Sequence, residues 1–451
     1  MNKTHIEFVN HASVLITHGK TSILSDPWYS GTAFHNGWRL IYELDNNKVN
    51  ELLNKTSHIY ISHEHPDHFR PEFFSNENIK NTIQSKKIEF LFQNTKDKRI
   101  INFLKNLGFY VRELKANEII NLANDIEIQI EKYGFYDSFI KLKTPDLKIL
   151  NLNDCAIKDQ NELSLFRKKH GDFDVLLTQF SYAAWKGGIH NANFRKFAAE
   201  EKLKAVENQA KILNCKSTIP FASFIYFSNE LNNYMNDSIN TPEKVKNFFS
   251  DKNIKIIFLR PGEVQNMQNL KQDQLSLNFW KEKYNEVLTK PTANRDRYEQ
   301  SVAYENLMSQ FNKYKSKIMK KNSKFLIFIL YKIKFLNFFQ PLKIKLTDHN
   351  NIYIYSIFDG LEKIEEKNSY DIEMHSQSLS FIFKNEFGFD TLTVNGCFES
   401  SQKGFVKSSK TLAIGNLNAM GFGLNFNLIF QPKFIFLFLN LIRKVSKKLP
   451  I

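Results

Sequence analysis

The stretch that most constrains this chain is residues 61–69, ISHEHPDHF, where three histidines and an aspartate fall within six positions directly after an apolar run. The preceding TSHIYIS reads as a strand with Ile59 and Ile61 on one face. A strand that ends in His63, His65, Asp67 and His68 delivers four metal-capable side chains to the loop at its carboxyl end. Neutral imidazole and carboxylate are donors that zinc, iron and manganese accept. The segment supplies half of a site, so the other ligands must come from elsewhere in the chain.

The surrounding pattern is α/β. HIEFVNHASVLITHGKTSILSDPW contains three strand-like runs with a turn at His18-Gly19-Lys20. KDKRIINFLKNLGFYVREL spaces Ile100, Ile101, Leu104 and Leu107 as a helix, stopped at Gly108. DIEIQIEKYGF alternates as a strand, and LKILNLNDC and DVLLTQF read as buried strands ending in polar residues. FAAEEKLKAVENQAKILNC then carries Leu203, Val206, Ala210 and Leu213 on one helical face, followed by the strand-like STIPFASFIYF. In such sheets ligands bind at the strand ends where polar residues collect. Near residue 270 the pattern gives way to polar helical sequence, and NIYIYSIF, SLSFIF and TLTVNG read as later strands. The expected division is residues 1–270 and 271–451, the second an additional α+β region.

At 451 residues the chain exceeds one ordinary domain, and 42% hydrophobic with 24% charged residues excludes a disordered protein. Cys155, Cys215 and Cys397 are too few and too scattered for a disulfide framework and point to a reducing compartment. Cys155 follows Asp154 on its strand and reads as packing. No secretory signal is visible, and FIFLFLNLI at 434–442 is too short to span a bilayer, so a cytoplasmic protein is expected. The net charge is +15, and from Ser301 to Leu346 ten lysines stand against the single acid Glu305. Mixed with FLIFILY and FLNFF, and repeated in character in the tail, they fit either a core with a lysine-rich exterior or a surface for anionic lipid. No nucleic-acid motif accompanies the charge, so no nucleic-acid partner is expected. The oligomeric state is not readable.

SHEHPDH matches the HxHxDH motif of the metallo-β-lactamase superfamily, and the earlier LSDPW resembles that family's upstream aspartate, Asp26. NHASVLI, SDPWYSGTAFHNGW, YISHEHPDHF, LNLNDC and PFASF together resemble a narrower branch. It includes the metallo-β-lactamase-like part of CMP-N-acetylneuraminate hydroxylase and bacterial relatives linked to surface-polysaccharide synthesis. The likeness covers roughly residues 5–265, and the hydroxylase's Rieske domain has no counterpart, since no CxH…CxxH pair exists here. The resemblance implies a metallo-β-lactamase-like αββα sandwich. It also implies one metal on His63 and His65 plus a later histidine, and a second on Asp67, His68 and another late histidine. A bridging carboxylate completes the set, and Asp154 matches it.

The two late histidines are where this chain departs. No histidine lies between His68 and His170, and YGFYDSF offers Asp137 in place of the first. Asn229 stands where the second is expected, with His190 earlier. His63, His65 and a carboxylate, Asp137 or Asp154, would suit iron(II) or manganese as well as zinc. Asp67, His68 and Asp154 could hold a second ion. Zinc is the expected cofactor, and the resemblance gives Asp67 a catalytic role orienting the attacking water. Asp26 is expected to hold a ligand histidine by its free ring nitrogen. His11 and His35 are expected to flank the site, and Trp28, Trp38 and Trp185 to line a pocket or fill the core.

Three functions follow from these readings. The first is a metal-dependent hydrolase acting on a sugar nucleotide, glycan or lipid-linked precursor of surface polysaccharide. The second is an iron-dependent hydroxylase, and the third a catalytically degenerate binding protein.

Overall fold

A computed structural model of the protein describes residues 3–123, 126–291, 294–365 and 369–426. The chain packs as two units, Met1–Lys186 with Asn191–Asp296, and Gly187–His190 with Arg297–Ile451. The sequence placed the division at 270, but the segment after it belongs to the first unit. Val264–Asn266 pairs with Glu7–His5, and the Trp280 ring stacks on Phe224 at 4.0 Å.

The first unit begins with an antiparallel meander, β1 (Thr4–Asn10), β2 (Ser13–His18) and β3 (Thr21–Ser25), turning at Gly19. A small hairpin, β4 (Thr32–Ala33) and β5 (Trp38–Leu40), leads to α1 (Asn46–Lys55) and β6 (His58–Tyr60). Then come α2 (Pro71–Ser75), α3 (Glu77–Ser85), β7 (Glu89–Gln93), α4 (Arg99–Asn106) and β8 (Tyr110–Leu114). The second half runs β9 (Ile120–Leu122), β10 (Ile126–Tyr133), β11 (Asp137–Lys143), β12 (Lys148–Asn153), α5 (Gln160–His170), β13 (Val175–Gln179), α6 (Ala192–Ile212) and β14 (Ser217–Phe221). It closes with β15 (Ile225–Phe227), α7 (Pro242–Phe248), β16 (Val264–Asn266) and α8 (Gln274–Leu288).

Two large sheets result, ordered β16-β1-β2-β3-β6-β7-β8 and β14-β13-β12-β11-β10-β9. On the outer face of the first, Val49, Leu53, Ile79, Ile83, Ile101 and Leu104 from α1, α3 and α4 pack against Leu24, Ile59 and Phe90. Outside the second, Leu163 of α5 and Leu213 beyond α6 pack on Phe139, Leu150 and Leu176. The Tyr60 hydroxyl reaches from the first sheet to Ser138 on the second, donating to its carbonyl at 3.0 Å. The layers are thus helix, sheet, sheet, helix. Each strand pair that ends at the motif is parallel: β3 with β6, β6 with β7, β12 with β13 and β13 with β14. Parallel pairing brings their carboxyl ends to the same edge.

The second unit holds α9 (Tyr304–Lys321), α10 (Lys324–Lys332), β17 (Leu342–Leu346), β18 (Asn351–Ser356), β19 (Gly360–Ile364), β20 (Ile372–Met374), α11 (Ser376–Lys384), α12 (Gly388–Asn395), β21 (Phe398–Ser400), α13 (Gln402–Leu412) and α14 (Ile414–Ala419). Its five strands are ordered β19-β18-β17-β20-β21. NIYIYSIF forms β18, whereas SLSFIF and TLTVNG are the helices α11 and α12, not strands. A short apolar run is ambiguous by periodicity alone, and here the ends decide. The His375 ring caps α11 by accepting from the Gln377 amide, and Gly396, at φ +69°, terminates α12. The 434–442 run and the basic tail lie outside the described residues.

Candidate metal centre

Four strands of the first unit break off in the same backbone conformation at the same edge. His11 follows β1 at φ +38°, Asp26 follows β3 at +34°, Asn153 ends β12 at +50° and Ala222 follows β14 at +52°. Left-handed backbone costs a non-glycine residue roughly 1 kcal/mol or more. Strain concentrated at one place is characteristic of functional sites, where the surroundings enforce it. Two of these breaks are tied together, the Ala222 amide donating to the His11 carbonyl at 2.7 Å.

Asp26, fully buried, organises the motif from beneath. Its Oδ1 accepts from the Ser62 amide at 2.7 Å, and its Oδ2 from the Ser62 hydroxyl at 2.8 Å and the Asn153 side-chain amide. The same Oδ2 lies 3.1 Å from His68 Nδ1. A carboxylate on Nδ1 fixes the ring and leaves Nε2 as the outward donor atom.

Nε2 of His68 is the centre of the cluster. It lies 3.3 Å from Asp67 Oδ2 and 3.4 Å from Asp154 Oδ2. His11 Nε2 lies 3.3 Å from the same Asp67 oxygen. His63 Nε2 meets His65 Nδ1 at 2.9 Å and Asp137 Oδ1 at 3.7 Å. Two triads have one ligand atom from each residue within 4.8 Å of the others: His63, His68 and Asp154, and His11, Asp67 and His68. The expected grouping was His63 with His65 and Asp67 with His68, and the two triads share His68. Asp154 and Asp137 both reach the cluster. His65 joins neither triad, and its ring sits between Tyr136 and Phe34, at 5.4 and 5.8 Å.

The charges respond to one another. Burial alone would lower His68, but Asp67 and Asp154 hold it well above the ordinary histidine range. Burial would raise Asp67, yet His68 and His11 hold it well below the usual carboxylate range. His63 is pushed well down by burial and by His68 and His65. Burial raises Asp137 to about 6.

Among the described residues, His11 Nδ1, Asp67 Oδ1 and His68 Nε2 are buried without a hydrogen-bond partner. Unsatisfied polar atoms cost about 1–3 kcal/mol each when buried, and these three belong to two imidazoles and a carboxylate of one triad. That donor chemistry fits a divalent cation such as zinc or iron.

Other expected residues sit apart. Asn229 spends its side chain on backbone, donating to the Asn36 carbonyl at 3.1 Å and accepting from the Leu231 amide. It ties a loop to the β4–β5 turn and does not stand in for a histidine ligand. His35 lies in that turn, next to Phe34. His190 is exposed and packs with the second unit. Trp28, Trp38 and Trp185 are buried, as is Cys155, which lies in the core beneath β12. Gln179, not singled out in the sequence, donates to Asp154 Oδ1 at 3.0 Å. It closes β13 just as Asp154 follows β12, and its place was legible only as a polar strand end.

No protein-family model matches the chain. It is 22% identical over 249 residues to cytidine monophosphate-N-acetylneuraminic acid hydroxylase of Danio rerio, covering 52% of this chain and 40% of that one. The Asterias rubens counterpart is 22% identical over 346 residues, covering 69% and 48%. The chain thus spans about half the length of these curated relatives. Similar solved structures include a possible metal-dependent hydrolase from Veillonella parvula, at 15% identity, TM-score 0.44, covering 59% of this chain and 100% of that one. CmlA, a diiron β-hydroxylase from Streptomyces venezuelae, gives 15%, 0.41, 59% and 54%. The layer order and the motif at its strand end assign the first unit the metallo-β-lactamase-like αββα fold.

Proposed function

We propose that the protein is a metal-dependent hydrolase that attacks its substrate with an activated water. The observation that carries this reading is the set of buried unsatisfied atoms on His11, Asp67 and His68, with His68 Nε2 3.4 Å from Asp154 Oδ2 at the strand-end edge. His68 Nε2 would hold one ion, completed either by His63 and Asp154 or by His11 and Asp67, with zinc the preferred metal. Such an ion lowers the pKa of water and polarises a phosphoryl or carbonyl oxygen. Asp67 is the catalytic residue. Its Oδ2 is held by His11, leaving Oδ1 to orient the attacking water and take its proton. Asp26 and Ser62 hold His68 and the strand end in place, and buried Phe34 and half-buried Tyr136 restrict water around His65.

The substrate we propose is a sugar nucleotide, glycan or lipid-linked precursor, since the curated relatives are named for a nucleotide-linked sugar acid. Hydrolysis of such compounds should fall at least about a hundredfold in Asp67→Asn and Asp154→Asn, with folding retained. A second reading, an iron-dependent hydroxylase, is favoured by those relatives' names and by triads of two histidines and one carboxylate. Oxygen uptake that requires iron and an electron donor, with no hydrolysis, would select it.

We also propose cytoplasmic residence at an anionic membrane surface. No helix of the described residues is long and apolar enough to cross a membrane. The supporting feature is α10 and the turn after it, where Phe325 and Phe335 are 61% and 83% exposed beside Lys324, Lys332 and Lys334.

A further inference from the structure

Asp154 is held from two sides. Its Oδ2 lies 3.4 Å from His68 Nε2, and its Oδ1 accepts from Gln179 Nε2 at 3.0 Å. The other end of the Gln179 amide, Oε1, accepts from the Lys202 ammonium. These side chains form a hydrogen-bonded series from α6 to the cluster, and its order follows from the sheet. β12 and β13 run parallel with Asn153 opposite Thr178, so Asp154 and Gln179, the next residue of each, leave the same edge side by side. α6 is fastened over that edge about two turns beyond Lys202. There the Thr178 hydroxyl donates to Gln209 Oε1 at 2.8 Å, and Gln209 Nε2 donates to the Ile157 carbonyl at 2.7 Å. Residues two turns apart share a helical face, so the face that seats Gln209 also brings Lys202 to the end of β13.

The chemistry of each group dictates its neighbour. An ammonium only donates and an ionised carboxylate only accepts, whereas a primary amide does both. Placed between them, the Gln179 amide has one orientation, oxygen towards Lys202 and nitrogen towards Asp154. Turned over, it would set oxygen against a carboxylate and nitrogen against an ammonium. Lys202 therefore decides which way Gln179 faces, and Gln179 occupies Oδ1 of Asp154 while Oδ2 stays towards His68. A lysine directly on Asp154 would offset the charge that a carboxylate offers a cation. The neutral amide passes on the orientation and leaves that charge in place.

We propose that Gln179 and Lys202 are the positioning residues of Asp154, acting in series to fix its Oδ1 and leave Oδ2 as the atom that would meet an ion. The inference rests on the proposed metal centre for the ion alone; the hydrogen-bonded series itself needs none.

Zinc affinity, measured by competition with a chromophoric chelator, tests it for wild type, Gln179→Met, Lys202→Met and the double variant. Gln179→Met should bind zinc about tenfold to a hundredfold more weakly, and Lys202→Met about tenfold. Because Lys202 acts through Gln179, adding Lys202→Met to Gln179→Met should weaken binding no further. Equal loss from Lys202→Met in both backgrounds, or zinc affinity unmoved in both single variants, overturns the proposal. A second readout needs no metal. In metal-free protein carrying glutamine labelled in its side-chain nitrogen, the Gln179 amide signal is the one that Gln179→Met lacks. It should shift in Lys202→Met and again in Asp154→Asn, and a signal unmoved by either overturns the series. Failure of the hydrolase reading would look different, as a wild type that takes up no zinc while its Gln179 signal still answers to Lys202.

Discussion

The two units treat polar groups in opposite ways. In the first, Asp26, His11, His63, Asp67, His68 and Asn153 are buried together at one strand-end edge, in a network that leaves donor atoms over. In the second, the buried polar groups are mostly small, as where Ser408 donates to the Gly404 carbonyl and Asn322 to the Ile318 carbonyl and Asn418 Oδ1. Its charge is on the outside. Binding chemistry needs the costly arrangement. The contrast teaches where substitutions should change chemistry and where they should change stability alone.

The sharpest break is Asp26→Ala. It removes the shared acceptor of Ser62, His68 and Asn153, and should cost about 3–5 kcal/mol in urea unfolding, because a buried charge network is left uncompensated. Metal uptake should fall with it. Gly404→Ala probes the other unit: a Cβ there would meet the Asp371 carbonyl oxygen at 2.0 Å. It should cost about 1–3 kcal/mol by overpacking yet leave metal content unchanged. A Gly404 variant that lost metal would erase the distinction between the units.

His11→Ala is subtler. Losing a residue of only one of the two triads should weaken metal binding about tenfold to a hundredfold in a competition titration without abolishing it. Next in size is a pH effect on stability at Lys202, which burial and the neighbouring lysines hold at about 8, below its ordinary 10.5. Between about 8 and 10.5 the unfolded chain binds the extra proton, so folding gains as pH rises. The smallest effect is Phe335→Ser, within about 0.5 kcal/mol in stability because the ring is exposed. It should nonetheless reduce co-sedimentation with phosphatidylserine vesicles.

The same contrast explains what the sequence made legible. The motif, Asp26 and Asp154 are each at the end of a recognisable strand, so one-dimensional pattern and three-dimensional place coincide. Asp26 was expected to hold a ligand histidine, and its carboxylate lies on His68 Nδ1. The approach of His11 to Asp67 is a contact across 56 residues, set by sheet order, and nothing local encodes it. Asn229 occupies the chain position expected of a histidine, but a loop tied to the β4–β5 turn uses its amide. In the second unit, the serines of SLSFIF alternate with apolar residues as a strand would. The helix follows instead because Leu379, Ile382 and Phe383 pack on one face, the Phe383 ring 5.7 Å from Phe311 of α9.

The central claim is that the strand-end cluster binds metal through His68. The direct measurement is metal content by plasma mass spectrometry of wild type and His68→Ala, both as purified and after reconstitution with zinc, manganese or iron(II). The account predicts about one equivalent in wild type and its loss in the variant, since His68 Nε2 is common to both triads. A wild type that stays empty after reconstitution, or a variant that keeps its full complement, would contradict it.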